Sequence, residues 1–305
     1  MKLGAVIMHV DLGNDPKSIR DFVQSIEGAG FDAFHTNDHV IGAHPDRALG
    51  EKLHTVDVPV HEPFVLLAYL AAVTTHIELV TSILILPQRQ TVLVAKQAAE
   101  LDLLAGGRLR LGVGVGRNWM EYEALNEQFD NRGERYEEQI TVLRRLWTEE
   151  LVTFDAQWHH LDRIGLNPMP VQRPIPIWIG SFFGKVYEKV IERAARIADG
   201  WMPQFPPGDE FAAVLRRFRG YAQAAGRDPA DIGIECVAKV AKSDDPKLWV
   251  AQARAFEALG ATHLKVMTAG GGFASLAEQL HAMLAWRHAV ATEVSVGNTT
   301  MGDIE

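Results

Sequence analysis

Two histidines and a carboxylate fall within five residues, His35-Thr36-Asn37-Asp38-His39. Imidazole exchanges protons near neutral pH, and a carboxylate such as Asp38 can accept a hydrogen bond from a ring N–H and orient it. His9 stands at the end of an earlier apolar run, so the two places together could make a polar, titratable pocket. A plainer alternative is that Asp38 caps the loop that follows. A metal centre is a third, because His9, His35, Asp38, His39, His44, His54 and His61 lie in a short span. No His-x-His or His-Glu-x-x-His spacing occurs among them. The acid–base reading is therefore preferred and no metal is expected.

A second group is Gly112-Val113-Gly114-Val115-Gly116-Arg117. A dinucleotide loop needs G-x-G-x-x-G, and its third glycine would fall at Arg117, whose long side chain would block helix–strand packing. A Rossmann site is rejected. Gly114, Val115 and Gly116 could still let a flat ring or a phosphate approach the backbone, with a tight turn as the plain alternative. A third group, Gly180-Ser181-Phe182-Phe183-Gly184, lies between a strand and a helix. Free N–H groups at a helix N-terminus suit an anion, and Ser181 adds a hydroxyl; an ordinary loop explains the stretch equally well. Trp119, Trp147, Trp158, Trp178 and Trp201 are more often core than cofactor contacts, and Trp147 is assigned to packing. His9, Arg117 and Trp201 are the candidates for a substrate pocket.

The elements that must carry these residues alternate. Apolar runs at 3–8, 31–36, 77–86, 108–115, 176–180, 200–202, 233–240 and 262–267 read as strands. Helices are expected from Asp15-Pro16 to Ala29, over 91–105, 133–149, 211–225 and 276–291, from Asp245-Pro246 to Gly260, and around Val186, Val190, Ala194 and Ile197. Residues 152–154 and 158–161 suggest a small hairpin. Strand–helix alternation implies a parallel sheet with right-handed crossovers. The pattern predicts one (β/α)₈ barrel over residues 1–292, with insertions after the second and fourth strands and a polar tail from 293. A doubly wound open sheet is the rival. Chemistry in such barrels collects at the C-terminal ends of the strands, and the stretch from 42 to 62 is expected to cover the pocket.

Composition narrows the partners. The 305 residues carry 30 Lys and Arg against 39 Asp and Glu, a formal net charge of −9. That balance argues against nucleic acid and against an anionic membrane surface. The single cysteine, Cys236, excludes an internal disulfide and a cysteine-based metal cluster. His9 and Asp11 end the first apolar run before it reaches signal length, and no apolar stretch is long enough to cross a bilayer. A cytoplasmic enzyme acting on a small organic molecule is expected.

Several stretches together resemble the luciferase-like monooxygenase superfamily. They are Thr81-Ser82-Ile83-Leu84, residues 101–109 with Ala105-Gly106-Gly107-Arg108, residues 111–116, Pro170-Val171-Gln172-Arg173-Pro174 with residues 176–180, and Ala198-Asp199-Gly200-Trp201. They occur in the family's order over roughly residues 3–270. The resemblance implies the same (β/α)₈ barrel and a redox enzyme using either FMN or the deazaflavin coenzyme F420. Asp38-His39 and Ser82-Ile83 look like the F420-dependent branch. There the residue matching His39 lies beside the reactive ring carbon and serves in proton transfer. Asp38, Ser82, Ile83, Gly114, Val115, Gly116, Gly180, Ser181 and Gly184 are the implied cofactor contacts. A non-proline cis peptide is implied between Ser82 and Ile83, where a bulge backs the ring. In this branch an acidic residue often follows the fourth strand; here Arg117 holds that place, which puts alcohol oxidation in doubt. Phe182-Phe183 is bulkier than the family's usual residues. A homodimer through helices of the first half is also implied, with weak support from the apolar residues between Val92 and Leu104. The expected function is hydride transfer between F420 and an organic substrate. An FMN-dependent monooxygenase is the alternative. A metal-dependent barrel hydrolase and a flavin-storage barrel without catalysis are more distant ones.

Overall fold

The apolar runs form a closed parallel barrel in the computed structural model, which describes residues 1–47, 55–181 and 187–294. Its strands are β1 (Lys2–Val6), β2 (Ala33–Thr36), β3 (Glu78–Ile85), β4 (Leu109–Gly114), β7 (Ile177–Gly180), β8 (Gly200–Met202), β9 (Gly233–Lys239) and β10 (His263–Met267). The remaining two, β5 (Val152–Asp155) and β6 (His160–Ile164), pair as an antiparallel hairpin outside the barrel. Each barrel strand pairs with the next in sequence, and β10 closes onto β1. The (β/α)₈ expectation holds.

Helices cover the outside: α2 (Pro16–Gly28), α3 (Pro63–Val73), α4 (Thr91–Leu104), α6 (Arg132–Thr148), α7 (Glu188–Ile197), α8 (Asp209–Ala224), α9 (Pro246–Ala258) and α10 (Leu276–Ala291). The Asp-Pro starts behave as read. Asp15 accepts from Ser18 N and Asp245 from Lys247 N, each at 2.9 Å, with proline in the first turn. Helix α3 is absent from the sequence reading because it is apolar on every side (Pro-Phe-Val-Leu-Leu-Ala-Tyr-Leu-Ala-Ala-Val) and shows no amphipathic period. Two short helices, α1 (His9–Leu12) and α5 (Trp119–Ala124), are too brief for periodicity to register. Strand β6 starts later than expected because Trp158 N and His159 Nδ1 are both engaged by Glu138 of α6. Residues 182–186 and 295–305 lie outside the described residues, and with them Phe182, Phe183, Gly184 and most of the polar tail. No helix among the described residues is long and apolar enough to cross a membrane.

The barrel interior is unusually charged. Glu235 is 1% exposed and meets Arg110 Nη2 at 3.1 Å, His35 Nε2 at 3.2 Å and Lys265 Nζ at 3.3 Å. Arg110 Nε also reaches Glu78 at 2.9 Å, and its guanidinium lies 4.3 Å from the centre of the Trp178 ring. Space for this cluster comes from Gly4, where a Cβ would stand 2.7 Å from His35 Nε2.

Above the cluster the Ser82–Ile83 peptide is cis, and the β3–β4 register shifts between Thr81 and Leu84. Ile83 lies half-buried in a slot between two glycines. A Cβ at Gly114 would come to 2.8 Å from Ile83 Cδ1, and one at Gly180 would overlap Ile83 Cγ2. Gly116, at φ +60°, is similarly filled by Ile85 Cγ2. These glycines make room for isoleucines of β3, where the sequence reading had them admitting a ring or a phosphate directly. The branched Cγ2 of Ile83 cannot swing aside without changing χ1. Gly180→Ala is therefore expected to destabilise the fold by about 1–3 kcal/mol. In an Ile83→Ala background the same change should cost almost nothing, and urea unfolding of the four chains checks this coupling.

Candidate active site

His39 stands three residues past the end of β2, half-buried at the barrel mouth. Its partner is Glu121, which is fully buried and is delivered by α5 from the loop after β4. Nδ1 of His39 lies 3.0 Å from Glu121 Oε2, while Glu121 Oε1 accepts the Val40 N–H at 2.7 Å. With the carboxylate accepting, Nδ1 donates this bond and the ring is held in one orientation. Helix α5 is started by Asn118, whose side chain accepts from Met120 N.

The expected His–Asp38 contact is replaced by this His39–Glu121 pair. Asp38 is 2% exposed, and its carboxylate accepts from Ile85 N at 2.9 Å and from Arg89 Nη2 at 2.7 Å. It braces the end of β3, directly after the bulge, and Arg89 carries the tie on to Glu62 at 2.9 Å. Arg117 does hold the place directly after β4, and an acidic residue, Glu121, stands one helical turn further on. Sequence reading missed Glu121 because the turn between Gly116 and α5 moves it away from the glycine run. Arg117 itself is half-buried beside that turn.

His9 also departs from expectation. It opens α1 and is 2% exposed. Its Nδ1 accepts from His61 N at 2.7 Å, and Nε2 meets Thr36 Oγ1 at 2.5 Å. Both ring nitrogens are used in tying the strand ends to the segment before α3, so His9 is a structural tie rather than a pocket wall. Trp201 is likewise corrected. Strand alternation turns it outward, fully buried and stacked on Phe218 of α8 with ring centres 4.9 Å apart, while Met202 faces the barrel interior with Trp178, Ala33 and Val80. The Ser181 N–H, read as a free anion donor, donates to Met202 O at 3.2 Å, and α7 begins only at Glu188. Val115 O accepts from the Tyr122 hydroxyl at 2.7 Å.

The mouth nevertheless holds polar atoms awaiting partners. Asn37 Oδ1, Ser181 Oγ and Gln204 Oε1 are buried without a hydrogen bond among the described residues, and each follows closely on the end of a barrel strand. With the half-buried Ser82 and Ile83 they offer what a flat heteroaromatic ring needs: an apolar shelf and polar contacts for its edge. The residues present fit a flavin or deazaflavin. The histidine-rich stretch is dispersed, with His35 inside the barrel on Glu235, His9 on Thr36 and His39 on Glu121; His54 lies outside the described residues. Among the described residues no group of three or more His, Cys, Asp and Glu is placed to hold a metal ion. A cleft of about 690 Å³ opens on the rim between α4 and α6, lined by Arg89, Arg135, Gln139, Trp158 and His159 among others. It shares Arg89 with the brace on Asp38 but does not include His39.

Comparison with known proteins agrees with this architecture. The luciferase-like monooxygenase family model matches residues 1–294, and the chain belongs to that family. Its members are oxidoreductases and monooxygenases, some F420-dependent and some flavin-dependent. An uncharacterized protein of Mycobacterium tuberculosis (strain ATCC 25618 / H37Rv) is 34% identical over 212 residues, covering 67% of this chain and 71% of the relative. An F420-dependent glucose-6-phosphate dehydrogenase of Segniliparus rotundus is 30% identical over 252 residues, covering 78% and 68%. The crystal structure of a long-chain alkane monooxygenase superposes with a TM-score of 0.77 at 14% identity, over 99% of this chain and 93% of that one, a likeness of fold.

Burial, reinforced at His9 by the neighbouring His61 and His39, pushes the His9 pKa down to about 4. Burial does the same at His35, against the opposing pull of Glu235. Both values lie below that of an exposed histidine in the unfolded chain, near 6.5. Between about pH 4 and 6.5 the unfolded state therefore binds more protons than the native one, and stability falls as pH drops through that window. Unfolding free energy is expected to fall by about 2 kcal/mol per histidine from pH 7 to pH 5. In His9→Asn, which keeps an acceptor for His61 N, denaturant titrations at the two pH values should show a correspondingly smaller fall.

Proposed function

We propose that this protein is an F420-dependent oxidoreductase that transfers hydride to or from a small organic substrate at the C-terminal mouth of the barrel. The observation that carries the reading is the His39–Glu121 pair, a histidine oriented by a buried carboxylate beside the Ser82–Ile83 shelf. Similarity to an F420-dependent dehydrogenase over 78% of the chain supports the choice of cofactor. The deazaflavin supplies the hydride chemistry when bound. Ile83 would give its ring an apolar face, and Ser82, Ser181 and Asn37 would offer hydrogen-bond partners for its polar edge. His39 holds or delivers the substrate proton at Nε2, while Glu121 keeps the imidazole in one tautomer and one orientation. Buried Cys236 accords with a reducing cytoplasm.

Fluorescence-quenching titration of the purified protein with F420 and with FMN tests the assignment. F420 should bind the tighter. FMN binding tenfold tighter, about 1.4 kcal/mol, would transfer the function to the oxygen-using monooxygenase class. His39→Ala should lower turnover roughly 10²-fold or more and leave cofactor affinity within severalfold; unchanged kcat removes His39 from the mechanism.

A homodimer is part of the same reading. Helices α3 and α4 expose Val65, Tyr69, Val92, Leu93 and Leu104, apolar side chains that a second copy would cover. Light scattering at micromolar concentration should give twice the 33.8 kDa chain mass, and a monomer refutes the proposal.

A further inference from the structure

Lys265 is the one member of the interior cluster that reaches the mouth. Its Nζ lies 2.7 Å from Ser82 Oγ and 3.3 Å from Glu235 Oε2. The lysine is 4% exposed, whereas Ser82 is half-buried within the bulge of β3. An ammonium has three donors and no acceptor. Ser82 Oγ must therefore accept from Lys265, and the hydroxyl's own hydrogen points elsewhere. The bond from Lys265 apart, no other hydrogen bond of that hydroxyl occurs among the described residues, and the half-buried side chain leaves it room to donate toward the mouth. A charge-assisted bond into an oxygen also makes that oxygen's own O–H a stronger donor.

The cluster is built to keep this cation. Glu78 and Glu235 face Arg110 and Lys265, two acids against two bases, so each charge is compensated inside the barrel. Burial draws the Lys265 pKa below the ordinary lysine range, and Glu235 opposes that pull. Room at the root of the side chain is left by Gly4, where a Cβ would stand 3.3 Å from Lys265 Cβ. Simple neutralisation of Glu235 would not require a side chain that extends on to Ser82.

We infer that Lys265 is a positioning residue: it turns the Ser82 hydroxyl into a polarised donor aimed at the bound ring and so favours the reduced, more electron-rich cofactor. The inference rests on the function proposed above.

The test measures the midpoint potential and Kd of whichever of F420 or FMN the full-length protein binds, in wild type, Ser82→Ala, Lys265→Met and the double variant. Each single change should disfavour the reduced cofactor about tenfold, a fall of about 30 mV for a two-electron couple. The double variant should fall no further than the singles, because both remove one chain of donors. Lys265→Arg should recover part of the shift. If Lys265→Met does not fold, Ser82→Ala with Lys265→Arg carries the comparison. A bound cofactor whose potential is unmoved in Ser82→Ala, or additive shifts in the double variant, overturns the inference and leaves the oxidoreductase reading intact. Wild-type protein that binds neither cofactor overturns both.

Discussion

Glu235 is a carboxylate wholly removed from water, and the barrel is arranged around satisfying it. Burial alone would push its pKa up, yet Arg110, His35 and Lys265 hold it well below the usual carboxylate range. An ion taken out of water costs several kcal/mol unless its partners are close and well oriented, and losing one partner of a buried pair typically costs about 3–5 kcal/mol. The partners come from β2, β4 and β10, with Glu78 of β3 completing the set through Arg110. Five strands thus converge on one group. The inward side chains of those strands must keep their register, because a one-residue slip would turn the compensating charge to the outside.

The two acids nearest the mouth share a chemistry but are put to different uses by their surroundings. Asp38 faces Arg89 and a backbone N–H, which leaves its carboxylate fully occupied in holding the end of β3. Glu121 faces an imidazole and a backbone N–H, which holds that imidazole in one orientation. The side chain proposed to react is therefore separated from the side chains that fix the shelf. A change in proton-transfer chemistry at His39 need not disturb the position of Ile83.

Much of this was legible in the sequence. Short apolar runs separated by Asp-Pro and glycine signals defined the eight strands, because buried parallel strands and capped helices leave strong local marks. The motif order led to the family, and with it to His39 and the Ser82–Ile83 bulge. What stayed hidden depended on pairings distant in sequence. Glu121 and His39 are 82 residues apart, and nothing local says that one orients the other. Lys265 and Ser82 are 183 apart. Trp201 could not be assigned an inward or outward direction without the register of a three-residue strand. His9 looked reactive by type, and only its two hydrogen bonds show that its ring is fully committed. Helix α3 was hidden for the opposite reason, since a uniformly apolar segment carries no period at all.

The segment between β2 and α3 is pinned at its base. Ala43 pairs with Thr55 and accepts from Val56 N at 3.0 Å, His61 N is held by His9, and Glu62 is held by Arg89. Arg47 Nη2 also reaches Glu123 Oε2 at 2.7 Å, so the described ends of the segment are fastened both to the strand ends and to α5. Gene duplicates of such a barrel would inherit this fixed frame at the mouth, and divergence in what they accept would fall on side chains that take no part in these ties.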